Sequence, residues 1–346
     1  MNSLQRVQAL IGNQSVDHLP VQPILMMYAA RHAGMSYRDY VLDGSRLAEA
    51  QLRTAGDYGI DCVQTISDPA RELTDIAGDG SIDWTDSGPV INEARAALRD
   101  KATLATLEVP DPDGGGRMND RLEAIRILRD AGRGEISIVG WIEGPLALGA
   151  ELRGLSRVLE DFYDDPAFII DLLDFTSRVG SAFWEPQVQA GADTIGMSDA
   201  AASLISPAMY ERFVFPVQAR VLGSIKAKRP DVVVRLHMCG RITHLLPQVA
   251  LLPVDVFELD FPVDLMLARQ QLGPDRVILG NVSTVGVMLS GTPDEVYAAA
   301  AVCHAACGDR HIVGTGCEVS PNTPPENLHA LVAYARDHAP KSGSHR

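Results

Sequence analysis

The chain of 346 residues is short of cysteine, of positive charge and of long apolar runs. Five cysteines, an odd number at low density, exclude a disulfide framework as the source of stability. Thirty Lys and Arg stand against 45 Asp and Glu, a net charge of −15. Without a basic face the chain is a poor partner for nucleic acid. No stretch reaches 18 consecutive apolar residues, which excludes a membrane-spanning helix. The first residues, MNSLQRVQALIGNQ, lack the apolar core of a signal peptide, so the cytoplasm is the expected compartment. No internal repeat is present. The 46% apolar content leaves ample material for a large core and excludes wholesale disorder.

Short apolar runs alternate with amphipathic stretches. The runs are Val21–Met27, Cys62–Ile66, Ile136–Ile142, Asp193–Met197, Val232–His237, Val256–Leu259, Val277–Leu279 and Ile312–Gly314. Their continuous apolar character suits strands covered on both faces, as in a parallel sheet. Helices are expected over Ser45–Tyr58, Met118–Ala131, Pro166–Gln189, Pro207–Lys228 and Pro293–Ala306, with another following Thr323. Thr292-Pro293-Asp294-Glu295 is a capping box with proline at the first helical position; Asp165-Pro166, Ser206-Pro207 and Thr323-Pro324-Pro325-Glu326 follow the same logic. Eight runs alternating with helices predict α/β architecture, one (β/α)8 TIM barrel spanning 1–346, with a helical extension over about 1–18. An open doubly wound sheet would want a glycine-rich first turn, and Tyr28-Ala29-Ala30-Arg31 stands there instead. Residues 72–91 read as an excursion with a hairpin-like turn at Gly78-Asp79-Gly80. Asp111–Gly116 is a loop whose glycines lack the Lys-Ser/Thr of a phosphate-binding loop, and the polar tail Lys341–Arg346 is expected to fray.

In such a barrel the chemistry sits at the C-terminal ends of the strands. His237 and Cys239, two apart at the end of the fifth run, point to one side of an extended segment. Cys317, after the eighth run, stands on the same rim between flexible glycines. One imidazole and two sulfurs suit a catalytic zinc site with an open fourth position. Asp260 is the expected fourth ligand, with Glu258 as the alternative, because the sixth run neighbours the fifth. Cys303, Cys307 and His311 form a rival group, but Cys303 and Cys307 lie on the core face of a helix, and Cys62 lies in an apolar run; these are read as packing. Glu143, Asp199 and Glu318 are further carboxylates at strand ends. Asp199 is expected to act as acid or base or to hydrogen-bond substrate, and Asn281 to hydrogen-bond substrate. Met26, Met27, Tyr28, Trp141 and Met197 are expected to line an apolar pocket. Of these, Tyr28 and Trp141, with polar tips, are the better rim candidates, and with Glu143 they are assigned to cofactor binding.

These residues resemble the uroporphyrinogen decarboxylase-related methyltransferases that work with corrinoid proteins. The likeness runs through Glu143–Gly154 (EGPLALGAELRG), Leu204–Phe213 (LISPAMYERF), Leu236–Gly240 (LHMCG), Leu279–Val282 (LGNV), Gly316–Val319 (GCEV) and Pro324–Asn327 (PPEN). The resemblance implies a (β/α)8 barrel and a zinc ion on His237, Cys239 and Cys317, with a carboxylate added from the following strand. It also implies a methyl group moved between a small molecule (a thiol, tetrahydrofolate or a methyl ether) and methylcobalamin carried by a partner corrinoid protein, and a possible homodimer. The alternative branch is the metal-free decarboxylase. Its members share Arg-Gln-Ala-Gly-Arg after the first strand, where this chain has Tyr28-Ala29-Ala30-Arg31-His32-Ala33-Gly34 and keeps at most one of the two arginines.

Overall fold

A computed structural model describes residues 1–340, so the expectation for the tail lies outside the described residues. Seven strands form one parallel sheet: β1 (Cys62–Gln64), β4 (Ser137–Glu143), β5 (Thr194–Ser198), β6 (Val233–Met238), β7 (Val256–Leu259), β8 (Val277–Leu279) and β9 (His311–Ile312), hydrogen-bonded in that order. Each corresponds to one of the apolar runs, and nearly every residue in them is buried. The sheet curls into a TIM-barrel-like half-ring wrapped by helices.

The first run departs from expectation. Pro20 and Pro23 remove two ladder donors, so Val21–Met27 forms no strand. Val21 and Ile24 make isolated parallel bridges to Val313 and Glu318. On the other side the Asp61 amide donates to the Val21 carbonyl at 2.9 Å. The segment thus touches both edges of the sheet without a continuous ladder, and Met27 already belongs to the helix Met27–His32.

The helices follow their start signals. Thr292 and Glu295 form the reciprocal capping box, and Asp165 and Ser206 accept from the amides of Phe168 and Met209. Thr323 departs: the helix Pro325–Asp337 starts from Pro324 without a side-chain cap, and the Thr323 hydroxyl is buried without a partner. The stretch Pro207–Lys228 is not one α-helix; a π turn over Tyr210–Val214 precedes Phe215–Lys228. Pro216 explains the break, since it donates no hydrogen bond and its ring crowds the carbonyl four residues back. The excursion holds a helix, Ala70–Ala77, and a separate hairpin of β2 (Ile82–Thr85) and β3 (Gly88–Ile91). Its turn is at Asp86-Ser87, not at Gly78-Asp79-Gly80, which ends the helix instead.

Helix Ser3–Ile11 packs Ala9 and Leu10 against Val233, Val256 and Val277 at the N-terminal ends of β6 to β8. That end of the sheet is therefore stoppered, which leaves the C-terminal end as the mouth. Arg6 fixes the stopper through Asp17 at 2.7 Å and the buried Asp61 at 2.6 Å. Arg6→Met strands a buried carboxylate and is expected to lower the unfolding free energy by roughly 3 to 5 kcal/mol. Urea denaturation measures this; a loss below about 1 kcal/mol would place the pair among ordinary surface contacts.

Candidate metal centre

Alternation along β6 turns Arg235 and His237 into the curl of the sheet. β6 ends at Met238, and Cys239 stands on the turn that Gly240 makes at φ +83°. Cys317 arrives from the loop after β9. Gly316 lies so close to the β7 loop that a Cβ would stand 2.4 Å from the Phe261 nitrogen, so only glycine lets the two loops meet. The result is a three-donor cluster. His237 Nε2 is 2.9 Å from Cys239 Sγ, the sulfurs are 3.4 Å apart, and Cys317 Sγ is 3.9 Å from Nε2. It is the one group of three His, Cys, Asp or Glu donors lying mutually within 4.8 Å among the described residues.

The donors fit a tetrahedral zinc. Two ligands held at zinc–nitrogen and zinc–sulfur distances from one ion stand roughly 3.5 to 3.8 Å apart, a range that the three separations bracket. The far side of the imidazole is prepared as well. Nδ1 has no full hydrogen bond, but Glu258 Oε2 lies 3.4 Å away, and Arg235 Nε grips that same oxygen at 2.9 Å. Burial opposes an imidazolium at His237, yet the Glu258 carboxylate and the Cys317 sulfur outweigh it and raise its pKa. The two sulfurs share one proton unequally. A hydrogen bond from Cys239 and the neighbouring imidazole, working against burial, lower the Cys317 thiol to about 4. The same bond, with burial, pushes the Cys239 thiol up.

Several expected site residues hold the framework instead. Asp260 does not join the donor cluster: its carboxylate accepts from the Gly240 amide at 2.6 Å and from the Phe261 amide at 2.7 Å, tying the two loops together. Glu258 faces Nδ1, away from the sulfurs, so it backs the imidazole and is not a ligand candidate. Asp199 is fully buried. It accepts from the Ala147 amide at 2.8 Å and from Gln218 at 2.7 Å, capping the helix Pro145–Arg153 where a catalytic acid was expected. Asn281 donates to the carbonyls of Asp260 and Val263 and accepts from Cys303, so both ends of its amide are engaged within the protein. Tyr28 is buried with its hydroxyl on Tyr58 at 2.7 Å, and Trp141 is buried with its indole N–H toward Gln64 and Arg235 over its ring. Neither is a rim residue. Met197 packs in the core, and Glu318 accepts from the Met27 amide at the start of the helix Met27–His32. Cys303 and Cys307 are buried core, as expected. Glu143 alone among the cofactor-binding candidates keeps a carboxyl without a hydrogen-bond partner among the described residues; it is half-buried at the end of β4.

Sequence reasoning missed the Arg235–Glu258 pair as a support. An arginine inside an apolar run, two residues before His237, was the available signal.

The uroporphyrinogen decarboxylase (URO-D) family model matches residues 2–338. A methylated-thiol–coenzyme M methyltransferase of Methanosarcina mazei is 32% identical over 97% of this chain and 90% of its own length. A methylcobamide:CoM methyltransferase of the same organism is 30% identical over 64% of this chain, and the match spans just under two thirds (65%) of that relative. The uroporphyrinogen decarboxylase of Streptomyces griseus is 29% identical over 94% of this chain and 89% of its own. Among solved structures, a methyltransferase from Methanosarcina mazei superposes with a TM-score of 0.87 over 97% of this chain and 98% of its own, at 23% identity, a likeness of fold.

Burial raises the Asp199 carboxyl to about 6 despite the hydrogen bonds from Gln218 and from the Ala147 and Leu146 amides. The folded state therefore holds this proton more tightly than the unfolded state does. The stability it contributes is full below about pH 4 and is lost as pH rises through 6, by up to about 3 kcal/mol. Asp199→Asn carries no such proton, so its stability relative to the parent should improve from pH 4 to 7. Urea melts at both pH values measure this, and a pH-independent difference would contradict the raised pKa.

Proposed function

The chain belongs to the uroporphyrinogen decarboxylase (URO-D) family, and within it we propose a zinc-dependent methyltransferase that moves a methyl group between a corrinoid-carrying partner protein and a small molecule. The observation that carries this is the His237–Cys239–Cys317 cluster at the mouth of a TIM-barrel-like fold. Zinc held there would supply Lewis acidity, lowering the pKa of a bound thiol or polarising an ether oxygen. Two thiolates would already neutralise its 2+ charge, which favours a thiol acceptor over an ether, because a bound thiolate then stays nucleophilic. The chain's own part is positional. Glu258 and Arg235 orient the imidazole so that Nε2 meets the sulfurs. Asp260 fixes the Cys239–Gly240 turn against the β7 loop, and Gly316 brings Cys317 over it.

The methyl donor or acceptor on a corrinoid must come close to this centre, so the partner has to cover the mouth. Exposed Leu204, Phe261 and Val285 lie in the segments that follow β5, β7 and β8, an apolar rim suited to that contact. The decarboxylase alternative has less support. The one arginine kept after the first run, Arg31, is exposed and bonded to Asn322.

The purified protein should hold about one zinc per chain by elemental analysis. Cys239→Ala and Cys317→Ala should lose the zinc together with methyl transfer from methylcobalamin to a thiol. Glu258→Gln should keep the cluster but bind zinc roughly 10- to 100-fold more weakly. A metal-free protein with fully active Cys317→Ala would favour the decarboxylase. Leu204→Asp with Val285→Asp should raise KM for a corrinoid protein while leaving zinc content intact; an unchanged KM would move the partner's contact elsewhere.

A further inference from the structure

In the strand register Glu143 is level with Ser198, and Ser198 with His237. Trp141, two residues before Glu143, meets Arg235, two residues before His237. By alternation, Glu143 and His237 therefore face the same interior, two strands apart. Beside Glu143 stand Glu72, on the helix Ala70–Ala77, and Glu151, on the helix Pro145–Arg153 that follows β4. Glu72 accepts from Arg71 at 2.7 Å and from the Glu143 amide at 3.0 Å, while its other oxygen is buried and unpartnered. Glu151 is 7% exposed, makes no side-chain hydrogen bond among the described residues, and has a buried, unpartnered Oε2. Arg71 is the one cation of the group, so three carboxyls face a single guanidinium.

No side-chain hydrogen bond ties Glu151 or the Glu143 carboxyl into the fold among the described residues. A buried carboxyl without a donor costs stability, and no helix start or loop is tied by Glu151. Burial first, then repulsion by the neighbouring acids, eased by Arg71, holds Glu143 and Glu151 well above the usual carboxylate range, so both carry a proton until a cation relieves that repulsion. The three carboxyls do not qualify as a compact set of metal donors, which among the described residues only His237, Cys239 and Cys317 form. A spread set of acids suits an organic cation, whose charge is itself spread and whose N–H groups would supply the missing donors.

We propose that Glu143 and Glu151, with Glu72 beside them, form an acidic subsite for the cationic head of the small-molecule substrate, so that the thiol served by this enzyme is an aminothiol. The subsite rests on the zinc reading only for the thiol end of that molecule. A neutral thiol lacks a charge that would relieve the repulsion among these acids, and an anionic one would add to it.

The test uses one two-carbon thiol with three heads: cysteamine, 2-mercaptoethanol and 2-mercaptoethanesulfonate, titrated calorimetrically into the zinc-loaded protein. Cysteamine should bind at least about tenfold tighter than the neutral thiol, with the sulfonate weakest. In Glu143→Gln/Glu151→Gln that advantage should fall below about twofold while zinc content and 2-mercaptoethanol binding stay at parental values. Propylammonium against 1-propanol, titrated in parallel, removes differences in thiol acidity and needs no metal. Binding of propylammonium that is lost in the double variant supports the subsite. Equal binding of the three thiols, preference for the sulfonate, an advantage that survives the double variant, or no binding of propylammonium overturns it. A protein that holds no zinc overturns the function proposed above instead, and the subsite then stands or falls on propylammonium alone.

Discussion

The centre depends on one buried ion pair. Arg235 and Glu258 are both excluded from water, and the guanidinium grips the carboxylate with two of its nitrogens, one at 2.9 Å. Taking both charges from water is costly, and losing either partner would leave the other buried alone. Register explains why they meet: Glu258 is level with His237 on the neighbouring strand, and Arg235 sits one layer below on β6. The same carboxylate thus neutralises the arginine and faces Nδ1 of the histidine. Trp141 lies against the guanidinium from across the curl, so the stack is held from the side as well. The series runs from arginine through carboxylate to an imidazole that would bind as a neutral ligand, ending at the position where a cation is proposed.

The sulfurs are set by a different means. They come from loops 78 residues apart in sequence, and neither loop would find the other through hydrophobic packing alone. Asp260 bonds the amides of Gly240 and Phe261, Gly316 lies against Phe261, and Asn281 bonds the carbonyls of Asp260 and Val263. Backbone atoms therefore fix where Cys239 and Cys317 stand. A site built this way is organised before its ligand arrives, so binding need not order the loops.

This division of labour also decides what was legible in the sequence. Seven strands were readable because continuous apolar runs leave few alternatives, and the eighth failed because Pro20 and Pro23 break a ladder that hydrophobicity alone suggested. His237 and Cys239 were readable because a two-residue period puts both on one face. Asp199, Asn281, Tyr28 and Trp141 misled because a polar residue at a strand end looks the same whether it faces a substrate or a backbone donor. Asp199 meets its capping partner Ala147 across 52 residues, and Tyr28 meets Tyr58 across 30. Only the fold shows which long-range donor is present. Glu151 gave no signal, since a glutamate within a helix reads as a solvated face.

On the proposed reading the mouth would be asymmetric in charge, and that asymmetry would order the substrate. On one side a zinc bound by two thiolates would be formally neutral and selective for a soft heteroatom. On the other, Glu72, Glu143 and Glu151 outnumber Arg71. A polycarboxylate would deepen the negative potential of these acids, and Arg31 is turned to the surface toward Asn322. The same acids that make a decarboxylase substrate unwelcome would draw a cation, fixing its distal end so that its sulfur is presented to the metal in one orientation. Binding energy from a remote head group would then restrict motion at the reacting atom, which is the use to which such contacts are best put when a small molecule must meet a protein-bound corrinoid.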